Sequence, residues 1–180
     1  MWAIHNDPIS WTNACAQIQR PMDRGFHAEI LRNKNSQLLF VIINTVVGNQ
    51  YEQDTSDQLP DRKLNPIGHL VLAASDPTST QHCETTLSIG IHKDYQRQGY
   101  GSEAIAWALD WAFNYANMHR VGLSVYGWNS PAREMYLKIG FREEGRRRES
   151  LFLRGRYWDE ILMSVLVQEW KLLRGLEDDN

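Results

Sequence analysis

The sequence is poor in cysteine and has no long apolar run, and both absences narrow the kinds of protein it can be. Its 2 cysteines, Cys15 and Cys83, lack the close spacing of metal-binding pairs, and a chain of 180 residues can bury a core without disulfides. No run approaches the roughly 18 apolar residues that span a bilayer, and no signal-like segment opens the chain. We therefore expect no membrane segment and a reducing, cytoplasmic setting, with a nuclear pool left open.

Neither sign of charge dominates, and the histidines are scattered. The formal net charge is −3, which gives no global attraction to polyanions, so we expect no nucleic-acid partner. The 6 histidines have no metal-ligand spacing, so we expect no metal. With 42% hydrophobic residues and no internal repeat, the composition is that of a globular chain. We predict a single domain over residues 1–180.

Two closely spaced glycines lie in the stretch 85–115. An alternating, strand-like run through Leu87, Ile89 and Ile91 leads into a turn that reads QRQGYG, and an amphipathic helical pattern begins near Ser102. Glycines allow a ligand to approach the backbone, and the N-terminus of a helix presents unpaired N–H groups to an anion. This pattern predicts a phosphate-binding turn, although a tight turn that only starts a helix would look the same.

The residues after the second glycine exclude two well-known phosphate motifs. A P-loop requires Gly-Lys-Ser/Thr, and the dinucleotide fingerprint requires a third glycine, whereas Ser102, Glu103 and Ala104 follow Gly101. Any phosphate at this turn must therefore be bound in a different way.

The remaining pattern predicts alternating strands and helices. Short helical pieces are expected up to residue 35, a long polar loop over 48–66, and a frayed acidic tail over 176–180. Pro131 lies early in the second helix, which has Asn129 or Ser130 as its cap and ends at Gly140. The predicted strands are 38–47, 67–74, 85–91, 121–126, 141–147, 150–154 and 157–167. The first three should pair antiparallel, and the strand after the long helix should run parallel to the strand before it.

Three segments in this order resemble the GNAT superfamily of acetyl-CoA-dependent N-acetyltransferases: QRQGYG, WNSPAREMYLKIGF and RRRESLFLRGRYWDEILMSVL. The similarity spans residues 38–167 and is greatest to the branch that acetylates ribosomal-protein alanines and small amines. It implies an α/β fold: a mixed, mostly antiparallel sheet of six to seven strands, with helices on both faces and a central splayed strand pair. It also implies acetyl-CoA as co-substrate, and a small-molecule amine or a peptide N-terminus as acceptor.

The resemblance assigns a role to each residue that matches the family pattern. The pyrophosphate of coenzyme A would be held mainly by backbone N–H groups of the turn, formed by Gln96, Arg97, Gln98, Gly99, Tyr100, Gly101 and Ser102. Ile89 and Ile91 would pair with the pantetheine arm as an added strand would, and Asn129 would hold the cofactor's amide. Tyr136, seven residues further on the same helical face, would direct its hydroxyl at the departing sulfur.

Two departures from the family pattern leave alternatives open. Many relatives carry a carboxylate within the central strand, where this chain has Thr86 and Ser88. Glu84, just before them, is therefore the candidate base, directly or through water. The usual first strand is also not evident near Trp2. An acyl-CoA-binding or regulatory module without catalysis is thus the alternative, and either module or enzyme could form a homodimer.

An aromatic and acidic group follows the predicted second βα step. Tyr126, Trp128, Tyr157 and Trp158 lie near the expected acceptor end, and Asp159 and Glu160 could join them to hold a cation. Packing in the core and in the closing hairpin would explain the same residues equally well.

Overall fold

Strands and helices alternate through the part of the chain that the computed structural model describes, residues 37–46 and 64–176. The elements are β1 Gln37–Val46, β2 Leu64–Ala73, β3 Glu84–Ile91, α1 Tyr100–Asn114, β4 Arg120–Tyr126, α2 Ser130–Ile139, β5 Arg142–Leu153, β6 Arg156–Leu166 and α3 Val167–Leu173. The helical pieces expected before residue 36, most of the 48–66 loop and the last residues of the tail lie outside the described residues.

The strands form one mixed sheet in the order β1-β2-β3-β4-β6-β5. Every neighbouring pair is antiparallel except β3 and β4, which run parallel and are connected along the chain by α1. This confirms the mostly antiparallel sheet, and the parallel step follows because a helical crossover returns the chain in the same direction.

The core lies between one face of this sheet and the helices. Along β4 and β6 the buried apolar residues alternate, which is the period of a strand with one packed face; they are Val121, Leu123, Val125, Ile161, Met163 and Val165. Gly122 and Ser164, on the other face, are buried as well. In α1 the predicted apolar face is confirmed by burial of Ile105, Ala108, Leu109 and Ala112, with Ala104 packed at its edge. Glu84 at the start of β3 and Arg120 at the start of β4 lie on the other face of the sheet, away from this core.

The boundaries of several elements differ from those that the sequence pattern predicts. The helix α1 begins at Tyr100 instead of near Ser102, because Gly99 takes φ 93 and serves as its N-cap. The strand β2 begins at Leu64, so its first residues were wrongly assigned to the loop. Asn129 is confirmed as the cap of α2, since its side-chain oxygen accepts from the Ala132 N–H at 3.4 Å.

Two predicted strands are a single strand, β5, with an irregularity. The pairing with β6 shifts register between Arg147 and Leu151, and Glu149 within that interval adopts φ 50. A β-bulge of this kind lets a strand continue through residues that break its alternation. The prediction of two strands was therefore wrong because the pattern breaks without the strand ending.

The helix α3 was not predicted at all. Its Trp170 is 4% exposed and donates from Nε1 to the Asp110 carboxylate at 3.0 Å. Arg174, just after the helix, binds the other oxygen of Asp110 at 3.0 Å and lies over the Trp170 ring. Side-chain contacts with α1 thus support a helix of only 7 residues, too short to be stable alone. No helix within the described ranges is long and apolar enough to cross a bilayer.

Candidate functional site

The strands β3 and β4 separate towards their C-terminal ends. Their parallel pairing comprises Glu84 with Arg120, Thr85 with Val121 and Thr86 with Gly122, although β3 continues to Ile91 and β4 to Tyr126. On its other side β3 stays paired with β2 as far as Ile91. The predicted splay is thus present, and it leaves a gap into which an extended ligand could add its own hydrogen bonds.

The glycine turn closes the same end of β3 and leads directly into α1. Gln96 donates from its side chain to the Ile91 carbonyl at 2.9 Å, and Gln98 donates to the Asp94 carbonyl at 2.9 Å. These two glutamines therefore hold the turn's shape with their side chains. Arg97 takes φ 61 and Gly99 takes φ 93, so the chain reverses sharply before the helix.

The space around the turn is open where a ligand's phosphate would need it. A Cβ added at Gly99 would meet no atom within 4 Å, and one added at Gly101 would meet the Met135 sulfur at 3.5 Å. The first residues of α1, including Tyr100 and Ser102, have N–H groups that helix geometry leaves without an intrahelical acceptor. The turn thus has the open backbone and the positive helix end that an anion requires.

Tyr136 lies on α2 and is buried between that helix and the sheet. Its ring is 8% exposed and contacts the Phe141 ring edge-on, with centroids 5.7 Å apart. Burial, and to a lesser degree nearby Tyr126, raises the pKa of Tyr136 to about 12. Its hydroxyl therefore keeps its proton throughout the neutral range and can act as a hydrogen-bond donor.

Asn129 has a structural task at the end of β4. Its backbone N–H donates to the Tyr126 carbonyl at 2.7 Å, and its side-chain oxygen caps α2. These bonds fix the position of the amide beside the open end of β4, which is where the predicted contact with a ligand would be made.

Glu84 is at the other end of β3. Its carboxylate receives a hydrogen bond from Arg120 at 3.3 Å, and Arg120 also binds Glu144, whose other oxygen accepts from the Ser164 hydroxyl at 2.7 Å. The Ser164 bond, then Arg120, lowers the pKa of Glu144. Glu84 is on the sheet face opposite Tyr136, and the structure does not bring the two side chains into contact.

A cleft of about 330 Å³ lies between the start of α2 and the β5–β6 hairpin. Four predicted residues, Tyr126, Tyr157, Trp158 and Asp159, line it, whereas Glu160 is bound to Arg147 at 3.0 Å. Arg133 of α2 and Arg146 and Glu149 of β5 also line it. Arg133 and Glu149 were missed, because they come from different elements and share no sequence motif. Among residues 37–46 and 64–176, no three His, Cys, Asp or Glu side chains are grouped to hold a metal ion.

Comparison with known proteins decides the family. The model of the acetyltransferase (GNAT) family matches residues 16–141, which is more than half of the chain. The chain belongs to this family. The turn, the splayed strands and α2 all lie within the matched region.

Curated relatives match about half of this chain. The uncharacterized N-acetyltransferase YnaD of Bacillus subtilis is 34% identical over 89 residues, which is 48% of this chain and 52% of the relative. The spermidine N(1)-acetyltransferase of Vibrio cholerae is also 34% identical over 89 residues, 49% of this chain and 51% of the relative. The chain thus spans about half the length of the curated relatives that it matches.

Solved structures extend the likeness to nearly the whole fold. The structure of a Vibrio cholerae spermidine N-acetyltransferase in complex with CoA and spermine has TM-score 0.71 and covers 94% of this chain and 89% of that chain, at 21% identity. At that identity the match shows the fold. A second Vibrio cholerae spermidine/spermine N-acetyltransferase structure is 33% identical with TM-score 0.54, covering 63% of this chain and 64% of that one.

Proposed function

We propose that this protein transfers an acetyl group from acetyl-CoA to a primary amine by direct attack. The observation that carries the proposal is the open glycine turn at the head of α1, placed beside the gap between β3 and β4. A diphosphate bound at the turn would direct an attached thioester arm along Ile89 and Ile91 into that gap. The whole of the predicted cofactor set, Gln96 to Ser102 with Asn129, borders this path.

The chemistry requires few protein groups. The ammonium first loses one proton to solvent, and the neutral amine attacks the thioester carbonyl. As the tetrahedral intermediate collapses and the C–S bond breaks, the nitrogen loses a second proton, and the departing thiolate gains a proton through water to become the free thiol. The Tyr136 hydroxyl donates a hydrogen bond to the sulfur as the C–S bond lengthens. Because its pKa of about 12 exceeds the ordinary thiol value of about 8.5, full transfer would be uphill, so the hydroxyl acts mainly by hydrogen bonding to the forming thiolate.

The base is the remaining part of this proposal. Glu84 is the sequence candidate, but its carboxylate is already bound to Arg120. We therefore favour a chain of water molecules in the gap between the strands, with Glu84 as the competing candidate. The acceptor is a small-molecule amine or a peptide N-terminus. A spermidine acetyltransferase of similar sequence supports the small amine.

The cofactor part of the proposal is tested by coenzyme A binding to a Gly101→Val variant. We expect the dissociation constant to rise at least about 100-fold, because losing two charge-assisted N–H contacts costs about 1.5–3 kcal/mol each. The fold should survive, since a Cβ at Gly101 makes only ordinary van der Waals contacts with side chains, to the Met135 sulfur at 3.5 Å and to Ile91 Cγ1 at 3.9 Å. Calorimetric titration with coenzyme A measures the effect.

Gly145→Val is the matched control. This glycine lies in β5, and a Cβ added there would meet no atom within 4 Å. The control should bind coenzyme A as the unmodified protein does. If Gly101→Val also retained full affinity, the turn would not be the diphosphate site and the transferase proposal would fall.

Release of free thiol with a panel of amines separates an enzyme from the alternative binding module. An enzyme releases coenzyme A with at least one acceptor, whereas a module binds it without turnover for any amine.

The assembly of a relative bears on the expected homodimer: a spermidine N-acetyltransferase of Vibrio cholerae, 33% identical over 63% of this chain, is dodecameric. The homodimer stays a prediction for this protein.

A further inference from the structure

The arginines that line the cleft beside α2 are already paired with carboxylates. Arg133 and Arg146 both bind Glu143, and Arg146 lies 4.0 Å from Asp159. The bond from Arg133 holds the pKa of Glu143 below its ordinary value, with burial opposing and Arg146 assisting. The two guanidinium groups are thus balanced by two carboxylates. Glu149, which also lines the cleft, has no ion pair or side-chain hydrogen bond with any other residue that the structure describes.

The bulge in β5 is what brings Glu149 to this cleft. The Glu149 backbone has φ 50 and its N–H donates to the Asp159 carboxylate at 3.0 Å, while the Ser150 hydroxyl donates to the Arg147 carbonyl at 3.1 Å. In a regular strand the side chain would follow the alternation of its neighbours. A bulge changes its direction at the cost of a conformation that residues with a Cβ rarely adopt.

Aromatic side chains line the same cleft, namely Tyr126, Tyr157 and Trp158. Trp128 connects two lining residues, with centroids 4.8 Å from Tyr126 and 5.9 Å from Trp158. Trp158 already accepts one cation on its ring, because the guanidinium carbon of Arg156 lies 3.3 Å from its centroid. Aromatic rings in the same cleft as an unmatched carboxylate favour a positively charged ligand.

We propose that Glu149 is a specificity residue which binds a second positive charge of the acceptor, away from the amine that reacts. This rests on the proposed function, and it gives the acceptor class as an aliphatic amine with at least two cationic groups. Tyr126 connects the cleft with the proposed catalytic Tyr136. It lines the cleft, and it is close enough to Tyr136 to influence the pKa of that hydroxyl. An extended acceptor could thus reach from the gap to the bulge.

The test compares Glu149→Gln with the unmodified protein, using 1,4-diaminobutane and n-butylamine as acceptors. The two probes share the reactive amine and the carbon chain and differ in the second ammonium group. We expect Glu149→Gln to raise KM for the diamine about threefold and to leave the monoamine unchanged, a size typical of an exposed ion pair. The effect should shrink at high ionic strength.

Glu134→Gln is the matched control, because Glu134 is an exposed carboxylate on α2 that does not line the cleft. It should change neither KM. An equal change for both amines, no change for either, or the same diamine effect from Glu134→Gln would overturn the proposal. Improved turnover of an amino-acid acceptor by Glu149→Gln would also overturn it, since the arginines would then be the recognition groups.

A binding readout separates this inference from the transferase assignment. Diamine titrated without acetyl-CoA should change tryptophan fluorescence through Trp158, and Glu149→Gln should weaken that response. Glu149-dependent diamine binding without thiol release would defeat the transferase and keep the cleft assignment. Thiol release without any preference for the diamine would support the transferase and defeat the cleft assignment. Thermal melts of each variant confirm folding.

Discussion

The two ends of the β3–β4 strand pair are built in opposite ways. At the N-terminal end the strands are paired, and Arg120 joins Glu84 to Glu144 across four neighbouring strands, β3, β4, β6 and β5. At the C-terminal end the strands separate and are bordered by a glycine turn and a helix start. At the N-terminal end the charged side chains pair with one another. At the C-terminal end backbone N–H groups are available to a ligand.

This contrast teaches which residues to associate with binding. Charged side chains that satisfy one another stabilise a fold but have little left for a ligand. Backbone donors at a helix start cannot all be satisfied within the helix, and so they favour a bound anion. We therefore assign ligand binding to the C-terminal end of the strand pair, where the strands separate, and call it the open end. The paired N-terminal end, here the closed end, should matter mainly for stability.

The largest effect should come from the open end, by replacing Tyr136 with Phe. The change removes only the hydroxyl from a buried ring, so packing against Phe141 stays. We expect kcat to fall about 100-fold or more, the usual scale of such a donor, with nearly unchanged affinity for coenzyme A. Steady-state kinetics and calorimetry measure the two quantities.

The pH profile sharpens that prediction. Because the pKa of Tyr136 is raised to about 12, the hydroxyl stays protonated as pH rises through the neutral range and well beyond it. Its ionisation should therefore cause no loss of kcat below about pH 11. An unaltered rate in Tyr136→Phe would remove the donor role, and the ring would then be a packing residue.

A smaller effect, on stability, should follow from replacing Arg120 with Met at the closed end. Removing the guanidinium leaves Glu84 and Glu144 without their common partner. We expect the melting temperature to fall by about 2–4 °C, since a partly exposed ion pair contributes about 1 kcal/mol. Differential scanning calorimetry measures it.

The effect of Arg120→Met should depend on pH in a defined direction. Glu144 has a lowered pKa in the folded protein, so its contribution to stability is present above the ordinary value of 4.5 and is lost as pH falls through the folded value. The gap in melting temperature between variant and unmodified protein should therefore narrow below pH 4.5. A gap independent of pH would show that packing, and not charge, explains the loss.

The smallest change should be that of Glu84→Gln. The amide can still accept a hydrogen bond from Arg120, and we expect kcat to change by less than about threefold. A loss of 100-fold or more, together with a changed acid limb of the pH profile, would identify Glu84 as the base. That result would break the division between a structural end and a binding end.

Local sequence signals were sufficient for much of the fold and for the turn. The glycines at 99 and 101, the cap at Asn129 and the alternation in β4 each depend on neighbours a few residues away, and the structure shows the elements that they predict. The bulge at Glu149 and the helix α3 were missed for the opposite reason. The bulge depends on the Asp159 carboxylate of the next strand, and α3 depends on Asp110, 60 residues before Trp170.

The sequence by itself determined the order of the elements from β1 to α2 and the position of the glycine turn, because hydrophobic period and backbone freedom are local properties. Only the tertiary structure decided which charges neutralise one another. Arg120, Glu84 and Glu144 meet because four neighbouring strands align. Glu149 is left without an ionic partner among the described residues because Arg133 and Arg146 bind Glu143. Such pairings depend on the distance between side chains in space, which no spacing along the chain specifies.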